Sequence, residues 1–260
     1  MLEVERRDAV ATITLARPEV RNALSDELID RIDAALADLE ADASTRVVVL
    51  TGAGRVFSAG ADLNFMRRMA VADRERNEQD ALRMGGVFHR IAGFPKPVVA
   101  RVNGPAIGGG VGLVVACDIV VAAASAFFAF SEVRLGLVPA VISPFCVRRL
   151  GPARAKRLFL TGERLDARAA LELGLVDVVA EDERLDEEVR RVTSALLLGG
   201  PQALAEAKKL IDVVSSREPH EALAYTAACI ARLRASEEAQ EGMRAFLEKR
   251  RPAWAPNSSD

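Results

Sequence analysis

The chain has 260 residues, 50% of them hydrophobic and 28% charged, with a formal net charge of −2. That length can bury roughly three quarters of its unfolded surface, as one large domain or two small ones, and the near-neutral balance argues against a general nucleic-acid binder. No apolar run reaches the roughly 18 residues that a membrane span needs, since the longest candidate, Val111 to Ala126, is interrupted by Cys117-Asp118.

The opening MLEVERRDAV has neither the apolar core of a signal peptide nor the acid-poor character of a transit peptide, so a cytoplasmic location is expected. Val10 to Leu15 alternates as a strand does and is ended by Arg17-Pro18. Ser25 caps a helix that runs through Glu40, with Leu28, Ile32, Leu36 and Leu39 along one face. Val47 to Leu50 is a short continuous apolar run, the mark of a strand buried on both faces. Thr51 to Gly60 is a glycine-bearing loop, Asp62 to Met69 a short helix, and the charged stretch Asp73 to Asp80 a solvated helix or a mobile segment.

Val98 to Val102 is a second buried strand, followed by Asn103-Gly104-Pro105, a helix-like segment from Gly109 to Cys117, and strands at Ile119–Ala122 and Ala126–Phe130. From Gly151 the pattern turns helical: Ala153–Leu160, Ala167–Leu173, Leu185–Leu198, then two alanine-rich helices between Gln202 and Lys249. One of these carries an apolar stripe of Leu223, Ala227, Ile230 and Leu233, suited to packing within the chain or between subunits. Pro252 to Asp260 reads as a frayed tail whose Asn257-Ser258-Ser259 sequon has no role in a cytoplasmic protein. Strand, loop and helix alternate at irregular spacing, which makes the chain α/β without the regularity of an eightfold barrel.

Several chemistries fail a direct check. Cys117, Cys146 and Cys229 are odd in number and far apart, which disfavours a disulfide framework or a zinc site. His89 and His220 sit among charged or loop-like residues and read as structural or exposed. There is no phosphate-binding G-x-x-x-x-G-K-[ST], the glycines at 108, 109, 110 and 112 do not spell G-x-G-x-x-G, and Ser58 in V-F-S-A-G lacks the first glycine of a nucleophile elbow.

Two loops remain, Gly54 to Leu63 and Val102 to Leu113, each ending in glycine and small residues where a helix begins. Glycine permits backbone conformations that free N–H groups and let a ligand approach, and a helix start adds unpaired N–H groups. The pair reads either as tight turns serving helix–strand packing or as two donors for one oxyanion. Glu132 follows Phe127, Phe128 and Phe130 and precedes Val133 and Leu135. It is either a general acid/base whose pKa is raised by desolvation or a surface glutamate paired with Arg134.

These segments together resemble the crotonase, or enoyl-CoA hydratase/isomerase, superfamily over nearly the whole chain. F-S-A-G-A-D-L at Phe57–Leu63 is similar to the family's first oxyanion and CoA-binding loop, which implies the N–H of Ala61 as one donor and Ala59, Asp62 and Leu63 as substrate-binding. G-P-A-I-G-G-G-V-G-L at Gly104–Leu113 resembles the second loop, with the N–H of Gly109 as the other donor, and A-C-D-I at Ala116–Ile119 fits after it. R-P-E-V-R-N-A-L at Arg17–Leu24 resembles the stretch lining the pantetheine and phosphate path, which implies roles for Arg21 and Ala23. A-F-L-E-K-R at Ala245–Arg250 is similar to a C-terminal helix whose aromatic and lysine, here Phe246 and Lys249, approach CoA, often in a neighbouring subunit.

The resemblance implies a spiral of repeated strand–strand–helix units over residues 1–195 carrying the CoA site, and a helical region, 196–260, used in trimerisation. It further implies a homotrimer or dimer of trimers, no metal or resident cofactor, and CoA as part of the substrate. Hydratases of the family carry a second glutamate three residues after the oxyanion glycine; this sequence has Gly112 there. Glu132 alone then supports hydration, double-bond isomerisation, or another reaction of a stabilised enolate such as decarboxylation; an acyl-CoA binder without catalysis is the further alternative. S-E-V-R-L-G-L-V-P-A-V-I-S-P-F at Ser131–Phe145 resembles bacterial 3-methylglutaconyl-CoA hydratases of leucine breakdown. On that reading Gly112 binds substrate by leaving room for a branch on the β-carbon, and Arg67, Arg68 or Arg83 meets a distal carboxylate.

Overall fold

The computed structural model describes residues 1–256. Along the chain, β1 (Leu2–Arg7), β2 (Val10–Leu15), α1 (Asp26–Ala41) and β3 (Val47–Gly52) precede α2 (Leu63–Met69), α3 (Arg74–Ala92) and β4 (Val98–Val102). Then come β5 (Ala106–Ile107), α4 (Gly109–Ala116), β6 (Ile119–Ala123), β7 (Phe127–Ala129), α5 (Ser143–Leu150) and α6 (Pro152–Thr161). β8 (Arg164–Asp166), α7 (Ala167–Leu173), β9 (Val178–Ala180) and α8 (Leu185–Leu197) follow, and α9 (Pro201–Val214), α10 (Pro219–Arg234) and α11 (Glu237–Leu247) come last.

A six-stranded sheet has the order β1-β2-β3-β4-β6-β9, parallel except for the β1–β2 hairpin. A smaller sheet has the order β5-β7-β8. Each turn of the chain lays one strand in the large sheet, one in the small sheet, and then a helix: β4–β5–α4, then β6–β7 and on to α5. Val48, Leu50, Val98, Ala100, Val120 and Ala122 point from the large sheet into the main core with Leu28, Ile32, Phe88 and Val114. Val47, Val49, Val99 and Val121 point the other way and pack against Leu185, Val189 and Val192 of α8. Strands covered on both faces read as unbroken apolar runs.

The structure departs from the sequence reading in three respects. β1, β5, α5, β8 and β9 were not expected. The stretch from 202 to 249 holds three helices rather than two. Pro219 at the start of α10 and the reciprocal cap between Glu218 and Glu221 make one break, and Ser236, which caps α11, makes the other. The charged stretch takes the helical one of its two readings, with Asp73 capping α3 and residues 74–80 forming its first turns. The tail is tied down at least as far as Trp254, whose indole N–H donates to the Leu198 carbonyl at 3.1 Å and whose own carbonyl accepts from Arg46. The sequon at Asn257–Ser259 lies outside the described residues.

Candidate active site

The site grows from one rung of parallel pairing. Ser58 bridges Ala106, and Ala106 pairs with Phe128 of β7, so three segments run side by side in the same direction. Just past that rung stand Ala61 and Gly109, each three residues on, and Glu132, four residues on. The carboxyl ends of neighbouring parallel segments therefore place all three at one edge, where ligands of such sheets commonly bind.

The first loop is held from behind by buried Asn22. Its side-chain amide donates to the carbonyls of Ala53 and Val56 at 2.9 and 2.7 Å, and its backbone carbonyl accepts from the Ser58 hydroxyl at 2.9 Å. Leu24 spends its N–H on the Gly60 carbonyl (2.7 Å) and its C=O on the Asp62 N–H (3.0 Å). Ala61, between those two, turns its own N–H to the opposite side, and no acceptor meets it among the described residues. Gly109 opens α4, so its N–H has no partner within the helix either. The two loops touch. A Cβ on Gly60, at φ 85°, would lie 2.7 Å from the Ile107 carbonyl oxygen and 3.6 Å from the Gly109 nitrogen, and one on Gly110 would lie 2.5 Å from the Ser58 oxygen. Glycine at these points is what lets two free N–H groups stand together.

Glu132 lies in a short 3-10 turn, Glu132–Leu135, directly after the small sheet. Its Oε1 is placed so that a Cβ on Gly108 would come within 3.0 Å, and its Oε2 is buried with no hydrogen-bond partner. Burial pushes its pKa up, against a weaker pull down from its own backbone N–H. Among the described residues it forms no ion pair with Arg134. Burial, with the charge of Glu132 adding to it, pushes the nearby Cys146 thiol up to about 12, which keeps it protonated near neutral pH.

Ala61, Gly109 and Glu132 line one cavity of about 180 Å³. Phe65, Met69, Met84, Val138, Val141 and Ile142 give it apolar walls, and Asn77 and Asp80 of α3 contribute polar groups. Among the described residues no lysine or arginine lines it. The sequence reading missed this α3 wall, because Asp80 stands at the end of a run of charges that reads as a solvated face. The spacing of Asp80, Met84 and Phe88 along one helical face is the signal that could have found it.

The remaining expected residues separate into groups. Ala59 donates its N–H to the Arg21 carbonyl at 2.9 Å, which fixes the exposed Arg21 beside the first loop with Ala23 next to it. Asp62 caps α2 by accepting from the Asn64 N–H at 2.8 Å and pairs with Arg17 at 3.0 Å. Burial raises its pKa, but these partners outweigh burial and hold it below its usual value. Leu63 is exposed. Phe246 is 82% exposed on α11, and Lys249 just beyond it has a left-handed backbone, φ 55°. Neither lines the cavity within this chain.

Two expectations are corrected. Gly112 opens no room for a substrate branch, because a Cβ there would lie 2.3 Å from Ile142 and 3.0 Å from Phe88, whose side chains already fill the space. The three candidate arginines are engaged elsewhere: Arg68 with Asp26, Arg83 with Asp30 at 2.8 Å, and Arg67 with Asn64 at 3.2 Å. His89 is exposed and stacks edge-on against Phe145 with ring centres 5.0 Å apart.

Two free N–H groups beside a carboxyl whose buried oxygen meets no donor among the described residues can hold a developing oxyanion and move a proton next to it. Residues 5–257 match the model of the family described as enoyl-CoA hydratase/isomerase. A provisionally named enoyl-CoA hydratase of Thermus thermophilus is 41% identical over 254 residues, covering 98% of this chain and all of its own. The 2,3-dehydroadipyl-CoA hydratase of Escherichia coli is 34% identical, covering 96% of this chain and 97% of its own. Among solved structures, an enoyl-CoA hydratase from Shewanella pealeana superposes with a TM-score of 0.94 at 39% identity, covering 97% of this chain and 95% of that one. Fold, site geometry and sequence agree: this chain is an enzyme of the enoyl-CoA hydratase/isomerase family.

Proposed function

We propose that the protein adds water reversibly to a branched or carboxylated 2-enoyl-CoA thioester. The observation that carries this reading is the buried, partnerless Oε2 of Glu132 in the same cavity as the free N–H groups of Ala61 and Gly109. As water attacks the β-carbon, the π electrons move toward the thioester. Its oxygen then takes up negative charge between the two N–H groups, and Glu132 exchanges a proton with the α-carbon. Donors fixed in advance in a water-poor site contribute a few kcal/mol each to such a step.

CoA enters as part of the substrate, and the reaction needs no metal or resident cofactor. Its phosphates lie toward Arg21, with Ala23, Ala59, Asp62 and Leu63 along the pantetheine path. Phe246 and Lys249 complete the site across a subunit boundary in a homotrimer or dimer of trimers. Residues 1–195 form the CoA-binding spiral, and 196–260 form the helical region that packs between subunits.

The resemblance of Ser131–Phe145 supports 3-methylglutaconyl-CoA as the substrate, hydrated to 3-hydroxy-3-methylglutaryl-CoA. The lining supports a second reading, an uncharged acyl chain, because among the described residues Asp80 and Glu132 line the cavity and no basic side chain does. Loss of enoyl-thioester absorbance with crotonyl-CoA and 3-methylglutaconyl-CoA side by side, with product mass, separates the two. Water gain faster on the branched acid supports the first reading, and faster gain on crotonyl-CoA supports the second. Tight binding with no water gain on either discards hydration. Weight then moves to a double-bond isomerase using Glu132 alone, or to a non-catalytic acyl-CoA binder.

A further inference from the structure

Water addition takes a proton from water and delivers a proton to the α-carbon, two tasks that one carboxyl can perform in turn or two can divide. Of the two carboxylates near the oxyanion donors, Asp62 is spent on the Asn64 N–H and Arg17, which leaves Glu132 in the cavity, and the Gly112 position is sealed by Ile142 and Phe88. A second carboxylate nevertheless enters the cavity from another element. Asp80 of α3 is 93% buried in side-chain terms, at 7% exposure, and lines the cavity with Glu132, Ala61 and Gly109. Among the described residues no hydrogen-bond donor reaches it. Arg76, a turn earlier in the helix, pairs with it through Nε, 3.3 Å from Oδ1, and Arg83 also feels its charge, but no donor meets Oδ2 among the described residues.

The position suits the task. Met84 is one helical turn beyond Asp80, and its sulfur would lie 4.0 Å from a Cβ on Gly109. One turn of helix is about 6 Å. Asp80 therefore stands about one turn along α3 from the side chain that meets Gly109, in the same cavity.

Resting on the hydratase reading, we propose that Asp80 holds the attacking water and accepts its proton, while Glu132 delivers the proton to the α-carbon. The water oxygen bonds to the β-carbon, and the π pair passes through the enolate to form the new α-carbon–hydrogen bond. One proton moves to Asp80 and one leaves Glu132, so the sum is one water added. Both carboxyls then return to their starting states by exchange with solvent.

The test compares wild type with Asp80→Asn and Glu132→Gln in two assays. One is hydration of crotonyl-CoA and 3-methylglutaconyl-CoA. The other is deuterium uptake at the α-carbon of butyryl-CoA in D2O, which involves no attacking water. Asp80→Asn is expected to lose about 10²-fold or more in kcat for hydration, with KM little changed and deuterium uptake at the wild-type rate. Glu132→Gln is expected to lose both. Hydration by Asp80→Asn at the wild-type rate overturns the assignment, as does a parallel loss of hydration and deuterium uptake. A wild-type protein that takes up deuterium yet hydrates neither thioester overturns the hydratase reading, and the role of Asp80 falls with it.

Discussion

Two acids close to the oxyanion loops are pushed in opposite directions by what surrounds them. Asp62 is held below its usual value because the Asn64 N–H and Arg17 outweigh its burial. Glu132 has no such partners, and burial raises it. Between the ordinary and the raised pKa, the folded chain keeps a proton that the unfolded chain has lost. The stability contributed by Glu132 therefore falls as pH rises through that window, and above it the folded protein bears the cost of a buried charge. Glu132→Gln removes that cost. We expect the variant to melt at a higher temperature than wild type at pH 8 and close to it at pH 4, with hydration reduced about 10²- to 10⁴-fold. Thermal melts at the two pH values and a rate assay check it, and equal melting at pH 8 would show that the burial of Glu132 costs nothing. Three phenylalanines before Glu132 drew attention to it in the sequence, but they left a surface pair with Arg134 equally open, and only the family resemblance gave it a role. Asp80 was not legible, because the side chain that faces the cavity ends the run Asp73–Asp80, and only tertiary packing distinguishes it from the exposed Glu75 and Glu78.

At the scale of elements, the donors depend on how closely α4 approaches the first loop. Gly110 decides that approach, since a Cβ there would meet the Ser58 carbonyl oxygen at 2.5 Å and the Ser58 Cβ at 2.9 Å. Both are backbone or near-backbone atoms that cannot swing aside. Gly110→Ala is expected to push the start of α4 away from Ser58 and part the N–H groups of Gly109 and Ala61. The predicted result is a fall in hydration of about 10²-fold with the helical circular-dichroism signal retained. An unchanged rate would mean that the two donors are not set by this contact. The buried strands β3 and β4 were legible because continuous Val-rich runs admit few other readings. The three-residue strands β8 and β9 were not, since so short a pairing is decided by neighbours rather than by its own residues. Gly112 marks the boundary of what a motif can say. Its sequence position was plain, but the fact that Ile142 and Phe88 fill the space beside it belongs to packing alone.

For the whole molecule, the C-terminal helices join the spiral through few polar ties, and these were invisible in a string of alanines. Arg46 donates to the carbonyls of Gly199 and Trp254, fixing both ends of the helical region to the core. Lys208 of α9 reaches Asp118, at the start of β6, with Nζ 2.7 Å from Oδ2, the same oxygen that accepts the Val98 N–H at 2.7 Å. Burial raises the Asp118 pKa, and Lys208 is the largest influence opposing that rise. Removing the lysine leaves the carboxyl buried with one neutral donor, so its folded pKa climbs further. The folded state then loses stability as pH rises through the widened window. Lys208→Ala is expected to cost about 1–3 kcal/mol near neutral pH and clearly less at pH 4, where Asp118 is protonated for a larger share of the time. Denaturant titrations at pH 4 and pH 8 read the difference directly. A loss equal at both pH values would show that Lys208 acts through its aliphatic stem against the core rather than through its charge on Asp118.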